Sequence, residues 1–514
     1  MSIQKNQLRI GVVLSYLNLG ISCIIPLLYT PIMLQVLGQA EYGLYSLSNS
    51  VISYLTLLSF GFGSTIIRYI SKYRAENNKC AVERTVGLFL LLYCLVAVLV
   101  IAVGTVLSFH VEEIFHKGLT ESEIDKVHIL ILIMTFNTAL SFPMSVFSAV
   151  ITSYERFIFR RLVDMISTVA APIFNLIALY LGYASVGMAL STTVLQVVML
   201  PLNVGYCIKR LNIKPRFGRI EAGLIREMMS FSFYAFIGTL VDLLFWSTDK
   251  VILGMLSGSV AVAIYNVGGT FNQMVINISS SISGVLTPKI TGMVVLGKSK
   301  EELSDLFIRI GRLQYLIIGL IVSGFAGFGK SFIQLWAGDA YKDAYWIAIL
   351  TMFPLCVPLI QNTGLSIVTA QNKHKFRSLV YLAIALVNVV STYLVVPYLG
   401  EMGAALCSCI AYLVGQGVIM NVYYYKVTGI NIPLFWKNIG AMSIVPVIML
   451  VIRELANRFA PLSNWPSFFG NVAAYAILYS ILMYIFSMNE YERSFLREPL
   501  HHVIYHLKNK LFRI

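Results

Sequence analysis

The chain has 514 residues, 58% of them hydrophobic and 12% charged, with a mean hydropathy of +0.78. Soluble domains carry roughly 25% charged residues, and no soluble core could hide so much apolar surface, so the natural solvent of this sequence is lipid. The net charge of +14 comes without any aromatic-basic cluster, which argues against nucleic acid as a partner.

A helix needs roughly 20 apolar residues to cross the hydrocarbon layer. In chain order, stretches free of Asp, Glu, Lys and Arg cover 11–40, 42–67, 85–109 and 127–154. The next, 165–208, is too long for one span and breaks at Gly182-Tyr183-Ala184-Ser185. A helix starting near Gly223 runs past Asp242, and another lies within 258–288. Stretches at 313–329, 344–372, 378–400, 402–425, 438–452 and 466–489 follow. The sequence therefore predicts an all-α integral membrane protein of about fourteen transmembrane helices, because helices satisfy their own backbone in lipid. The first apolar run is too long for a signal core and lacks a small-residue cleavage site, so no cleavable leader is expected.

Basic residues collect on the cytoplasmic side. With both termini inside, Lys117, Lys126, Lys250, Lys330, Lys342, Arg453 and Arg458 fall outside, and the rest of the 38 Lys and Arg fall inside. Membrane sidedness thus accounts for the positive charge. The tail from 490 mixes Phe495, Leu496, Val503 and Leu507 with Arg493, Arg497, Lys508 and Lys510. This reads as a basic amphipathic helix on the anionic inner leaflet.

Two motifs invite chemistry and fail on context. GFAGFGKS at 324–331 matches a phosphate-binding loop, which requires a strand before it and a helix after it. Here a span-length apolar helix precedes it, and Lys330 falls on the outer side, where it reads with Trp336 as an interfacial anchor. The seven Cys are scattered, and Cys407-x-Cys409 has the wrong spacing for a structural zinc pair. No metal site is expected.

Internal repeats organise the chain. Tyr180-Leu181-Gly182 with Gly187-Met188-Ala189-Leu190-Ser191 parallels Tyr398-Leu399-Gly400 with Gly403-Ala404-Ala405-Leu406-Cys407. Phe159-Arg160-Arg161-Leu162-Val163 parallels Phe376-Arg377-Ser378-Leu379-Val380, and VLGQAEYGLYSL at 36–47 parallels MLSGSVAVAIYNV at 255–267. An offset of about 217 residues, six helices, preserves orientation and implies a pseudo-twofold axis along the membrane normal. The expected organisation is an N-terminal six-helix lobe over 1–210, a second over 211–430, and a terminal helix pair with the basic tail over 431–514.

Two lobes make a cleft, and a wet cleft should be lined by polar stripes. Asn266, Thr270, Gln273, Asn277 and Ser281 recur at helical spacing, as do Thr239, Asp242, Trp246 and Asp249. Ser15, Asn18, Ser22, Pro26 and Tyr29 form a further stripe, and Ser46, Asn49 and Ser53 another. Interhelical polar packing would produce similar stripes. Intramembrane charges are sharper, since each needs water or a partner. Asp242 lies mid-helix, Asp249 and Lys250 near an outer end, and Arg68 near an inner end. Asp164 is expected to pair locally with Arg160 or Arg161. The candidate cavity residues are Asn18, Arg68, Thr239, Asp242, Trp246, Asp249, Lys250, Asn266, Gln273 and Asn277.

Four segments carry a family resemblance: PIMLQVLGQAEYGLYSL (31–47) followed by SFGFGSTIIRYISKY (59–73), DKVILGMLSGSVAVAIYNVG (249–268), and FGKSFIQLWAGDAYKDAYWIAILTM (328–352). Together they resemble the oligosaccharide flippases of the multidrug/oligosaccharidyl-lipid/polysaccharide exporter superfamily. The resemblance implies a non-enzymatic carrier in a bacterial plasma membrane. It would move an undecaprenyl-diphosphate-linked oligosaccharide from the inner to the outer leaflet, for capsule, O-antigen or another surface polysaccharide. It also implies a monomer working beside glycosyltransferases and a polymerase, with no cofactor beyond a coupling proton or sodium ion. Relatives that flip the peptidoglycan precursor carry basic residues in helix 1, and this chain has none over 11–40. A cation-coupled multidrug exporter of the same superfamily is the alternative, with Asp242 as its coupling site. A membrane polymerase or glycosyltransferase is remote. It would need a large loop of clustered carboxylates and Arg, whereas Glu112, Glu113, Glu121, Glu123 and Asp125 read as a solvated acidic loop.

The failed phosphate loop yields a test. Lys330→Ala should leave transport within about twofold of the parent and nucleotide binding absent throughout, as read by export assays and a nucleotide-binding titration.

Overall fold

The computed structural model describes residues 2–218, 222–371, 373–457 and 464–494. Arg458 and the tail beyond Ser494 lie outside the described residues. Among the described residues every regular element is helical, as a chain that must satisfy its backbone in lipid requires. Nine helical stretches among them are long and apolar enough to cross a membrane, ten if the bent pair Ala344–Ile360 and Asn362–Ala370 counts as one span. Fourteen were expected. Two of the nine, Leu17–Ala75 and Phe376–Thr428, are 59 and 53 residues long, far beyond the roughly 20 that one crossing needs.

In chain order the helices are α1 (Ser2–Ser53), α2 (Phe62–Ala75), α3 (Lys79–Phe109), α4 (Val111–Phe115), α5 (Glu121–Ser153), α6 (Phe157–Tyr180) and α7 (Ala184–Lys209). Then come α8 (Ala222–Trp246), α9 (Thr248–Leu256), α10 (Ser259–Val295), α11 (Lys300–Ala337), α12 (Ala344–Ile360), α13 (Asn362–Ala370) and α14 (His374–Tyr412). The last are α15 (Met420–Tyr423), flanked by π-helical turns, α16 (Ile432–Asn457) and α17 (Trp465–Leu482). The motif at 324–331 lies inside α11, so its backbone N–H groups are spent on the helix and cannot cradle a phosphate.

The repeated sequence segments repeat a conformation. Gly38 and Gly258 both take positive φ (76° and 93°), as do Gly182 and Gly400 (85° and 54°). Each glycine stops or kinks a helix where a side chain would be strained. The repeat visible in the sequence is therefore, locally, a repeat of helix stops.

The helices group into two compact units, one of Met1–Val267 with Tyr381–Ser408, the other of Gly268–Val380 with Cys409–Ile514. In the first, α5 packs against α3 and α7, and α1 against α6. Asn137 of α5 donates to the Ala189 carbonyl of α7 (3.0 Å) and accepts from Thr193 (2.5 Å). Asp164 pairs with Arg160 (3.1 Å) and Arg161 (3.7 Å), the local pair that the spacing suggested. Glu83, buried in α3, holds Arg216 at 2.8 Å and so straps the segment after α7 onto the unit.

In the second unit α11 packs against α12 and α16, and Phe328, Met442, Val445, Met449, Phe468 and Tyr475 interlock as its core. A buried ion pair closes one side. Arg312 donates Nε and Nη2 to Glu492 (2.6 and 2.9 Å), Nη1 to Asn438 (3.0 Å) and Nη2 to the Ser487 carbonyl (2.8 Å). Glu492 also caps its own helix, exchanging backbone-to-side-chain bonds with Asn489.

Removing one partner of such a pair strands a buried charge. Glu492→Ala should cost on the order of 3 kcal/mol and lower the melting temperature of the detergent-solubilised protein. The double change Arg312→Met with Glu492→Leu should recover most of that loss.

Candidate functional site

The stripe of Thr239, Asp242, Trp246 and Asp249 implies one continuous helix. The chain instead ends α8 at Trp246, turns at Ser247 and starts α9 at Thr248. The break sends the two carboxylates to different surroundings. Asp242 is exposed on α8, with Thr239 and Trp246 half-buried beside it. Asp249 has no exposed surface at all.

Three hydroxyls converge on Asp249. Tyr265 Oη donates to Oδ2 at 2.6 Å, Ser408 Oγ to the same oxygen at 2.7 Å, and Thr392 Oγ1 to Oδ1 at 3.3 Å. Asn388 donates to Ser408 at 3.2 Å, and its own Oδ1 is buried with no hydrogen-bond partner among the described residues. Thr392 and Ser408 lie 143 and 159 residues along the chain from Asp249. They belong to the strip 381–408 that packs into the first unit.

A second polar chain starts one residue on. Lys250 Nζ donates to Asn266 Oδ1 (3.0 Å), and Asn266 Nδ2 donates to Tyr42 Oη (2.6 Å) and Ser46 Oγ (3.0 Å). Tyr54 Oη and Thr248 Oγ1 share a further hydrogen bond. The structure thus brings together Asp249, Lys250 and Asn266 from the sequence-derived set.

The other candidates stand elsewhere. Asn18 is half-buried on α1, with its Oδ1 unpartnered among the described residues. Arg68 is exposed on α2, one turn from Thr65, which bonds Ser232 at 2.6 Å. Gln273 and Asn277 bond each other at 3.0 Å on α10, within the second unit. Sequence reasoning missed Tyr265, Asn388, Thr392 and Ser408. Their one prior signal was polarity inside apolar runs, which many structural residues share.

Chemically the Asp249 cluster is an oxygen cage with one carboxylate. Such a donor set suits a proton or a hard cation and does not suit soft transition metals. Among the described residues no group of three or more His, Cys, Asp or Glu could hold a metal.

The contrast between the two carboxylates is measurable. Asp249→Asn replaces one acceptor oxygen by an amide donor that faces hydroxyl donors and should cost about 1–3 kcal/mol, seen as a lower melting temperature in detergent. Asp242→Asn, at an exposed position, should change stability by less than about 0.5 kcal/mol.

Comparison with known proteins places this geometry. Residues 10–294 match the family model described as polysaccharide biosynthesis protein. The chain is 20% identical over 471 residues to the uncharacterized membrane protein EpsK of Bacillus subtilis (strain 168), covering 90% of this chain and 92% of that one. Its fold superposes on the lipid II flippase MurJ in an inward closed conformation with a TM-score of 0.72 at 14% identity, covering 95% of this chain and all of that one. An inward-facing multidrug resistance MATE transporter of the MOP superfamily gives 0.62, also at 14% identity, over 83% of this chain and 99% of its own. The fold is that of membrane transporters and flippases, and with more than half its length matched the chain belongs to the polysaccharide biosynthesis protein family.

Proposed function

We propose that the chain is a flippase that carries an undecaprenyl-diphosphate-linked oligosaccharide from the cytoplasmic to the outer leaflet of a bacterial plasma membrane by alternating access. The family match over residues 10–294 carries the reading, and the fold shared with a lipid II flippase supports it. A diphosphate and a run of sugar hydroxyls cannot enter hydrocarbon unaided. A cleft between the repeat-related halves would shelter them while the polyprenyl tail stays in lipid. Asn and Gln suit hydroxyls, whereas a phosphate favours Lys or Arg such as Arg68. Both termini are read as cytoplasmic from the basic residues, and the chain as a monomer serving glycosyltransferases and a polymerase of one pathway.

Coupling to a proton or sodium ion is part of the same proposal, with Asp249 and its ring of hydroxyl oxygens as the seat. Asp242 keeps the role of a cavity residue that meets the substrate, in line with its exposure on α8. The oxygen cage also fits a second reading, a cation-coupled exporter of small molecules, since a MATE transporter shares the fold.

Deleting the gene should leave lipid-linked oligosaccharide on the cytoplasmic leaflet and strip the surface polymer, measured by leaflet-specific lipid extraction and surface glycan staining. Restoring Asp242→Asn should return protein to the membrane but recover less than about a tenth of the polymer. Persistence of surface polymer in a strain with no second flippase would refute the reading. Altered drug accumulation with normal polymer would favour the exporter.

A further inference from the structure

The sequence repeat, with its offset of about 217 residues, carries one contact from the first unit into the second. Phe159 stacks on Tyr206 with ring centroids 3.8 Å apart and planes 10° from parallel. Phe376 stacks on Tyr423 at 4.5 Å and 12°. Both members of the second pair stand at that offset from their counterparts. Each phenylalanine lies in the first turn of a helix, α6 or α14, and an arginine follows it, Arg160 or Arg377. The distribution of basic residues puts both helix ends at the inner leaflet.

The surroundings of the two arginines differ. Arg160 donates Nη1 to Ser148 Oγ (2.5 Å) and pairs with Asp164 at 3.1 Å, and Arg161 pairs with the same carboxylate at 3.7 Å. One acid on the next turn thus answers two guanidinium groups. At the matching places of the second copy, Ser148 is replaced by Leu365, Arg161 by Ser378 and Asp164 by Tyr381, while the arginine remains as Arg377. No Asp or Glu occurs over 344–400 or 402–453, whereas Lys373, Lys375, Arg377 and Lys426 fall at the inner helix ends of that stretch. The basic groups are held in place. Tyr423 Oη donates to the Lys373 carbonyl (2.9 Å), and Lys373 Nζ donates to the Val427 carbonyl (3.0 Å) in the π-helical turn Tyr424–Thr428. That bond uses one of three ammonium donors, and Lys373 and Lys426 are both exposed. On the adjoining start of α11, Glu302 caps its helix and binds Lys298 at 2.9 Å, and Glu301 and Asp305 are exposed to solvent.

We infer that a phosphate of an anionic bilayer phospholipid, bound at Lys373, Arg377 and Lys426, supplies in the second unit the negative charge that Asp164 supplies in the first. Clustered Lys and Arg at an inner helix end attract anionic headgroups. The Phe376–Tyr423 stack lies where aromatic rings favour the headgroup boundary, and Tyr423 fixes the turn that carries Lys373. A lipid is indicated over a soluble anion because Phe376 and Leu379, beside the basic groups, are 44% and 68% exposed, as side chains that face acyl chains are. From the proposed function this inference takes only the cytoplasmic side of these helix ends.

The test measures binding of fluorescent phosphatidylglycerol to the purified full-length protein in neutral detergent, with unlabelled lipids as competitors and the number of bound lipids counted by native mass spectrometry. The parent should bind phosphatidylglycerol and ignore phosphatidylcholine. Lys373→Gln with Arg377→Gln should weaken binding about thirtyfold. Lys426→Gln, at an exposed position, should weaken it about fivefold and decides the matter if the double variant fails to accumulate. Asp164→Asn releases two arginines in the first unit and should add a second bound phosphatidylglycerol, a gain that misfolding does not imitate. Parent affinity in the accumulated Lys and Arg variants overturns the inference, as does equal binding of phosphatidylcholine. No added lipid in Asp164→Asn overturns the exchange of carboxylate for lipid phosphate. Undecaprenyl diphosphate competing at least about tenfold better than phosphatidylglycerol would give the site to the transported lipid and overturn the bilayer assignment. The readout needs neither transport nor a glycan, so it stands or falls apart from the flippase reading.

Discussion

Everything in this structure follows from the inability of lipid to satisfy a polar group. A backbone amide or a carboxylate in hydrocarbon must find its partner within the protein or face a wet cavity. The long helices meet that demand for the backbone. Near the breaks, polar side chains meet the same demand by pairing with one another. Thr248, at the start of α9, bonds Tyr54, and Asp249 one residue later is ringed by three hydroxyls. Farther on, Gln361 stands at the 45° bend between α12 and α13 and bonds Asn421 at 2.7 Å.

The same demand explains how the charges are distributed. Charged groups that enter the helices are matched on the spot, as Asp164 is by Arg160 and Arg161. Others are matched across great sequence distance, as Arg312 is by Glu492. Glu41 draws both Lys126 and Ser185, at 2.6 Å for the latter. Each pair is local glue, and none of them lines up as a relay. Asp249 differs because its hydrogen-bond partners are neutral hydroxyls, with Lys250 next in sequence. The hydroxyls satisfy its oxygens without cancelling its charge, as an intimate salt bridge would.

Glycine provides the second theme. Positive-φ glycines end helices at corresponding places in the repeated segments, and tightly seated glycines let backbones touch along 43–54 and 248–266. The first role is conformational and the second steric, yet both depend on the missing Cβ. Helix stops and close helix contacts are thus built from the same residue in this chain.

Much of this was legible in the sequence. Apolar runs longer than a span, bounded by charges, determined the helices and the membrane environment, because hydrocarbon thickness sets a length that composition displays directly. The glycine-centred repeats foretold where helices stop, and the i, i+3 and i, i+4 arithmetic found the Asp164 pair. The candidate site was legible only in part. Periodicity tells which residues share a face of one helix; it cannot tell that a helix breaks at Ser247, since Ser and Thr are tolerated in mid-span helices. Nor can it say which distant residues meet that face. The tertiary structure alone decided that Asp249 is buried and Asp242 exposed, and that Thr392 and Ser408 supply the hydroxyls. It also decided that Gly43 rests on the Ser259 carbonyl. Those outcomes depend on packing between helices far apart in the chain, where one side chain's volume or one missing Cβ sets the approach distance, and no local pattern records it.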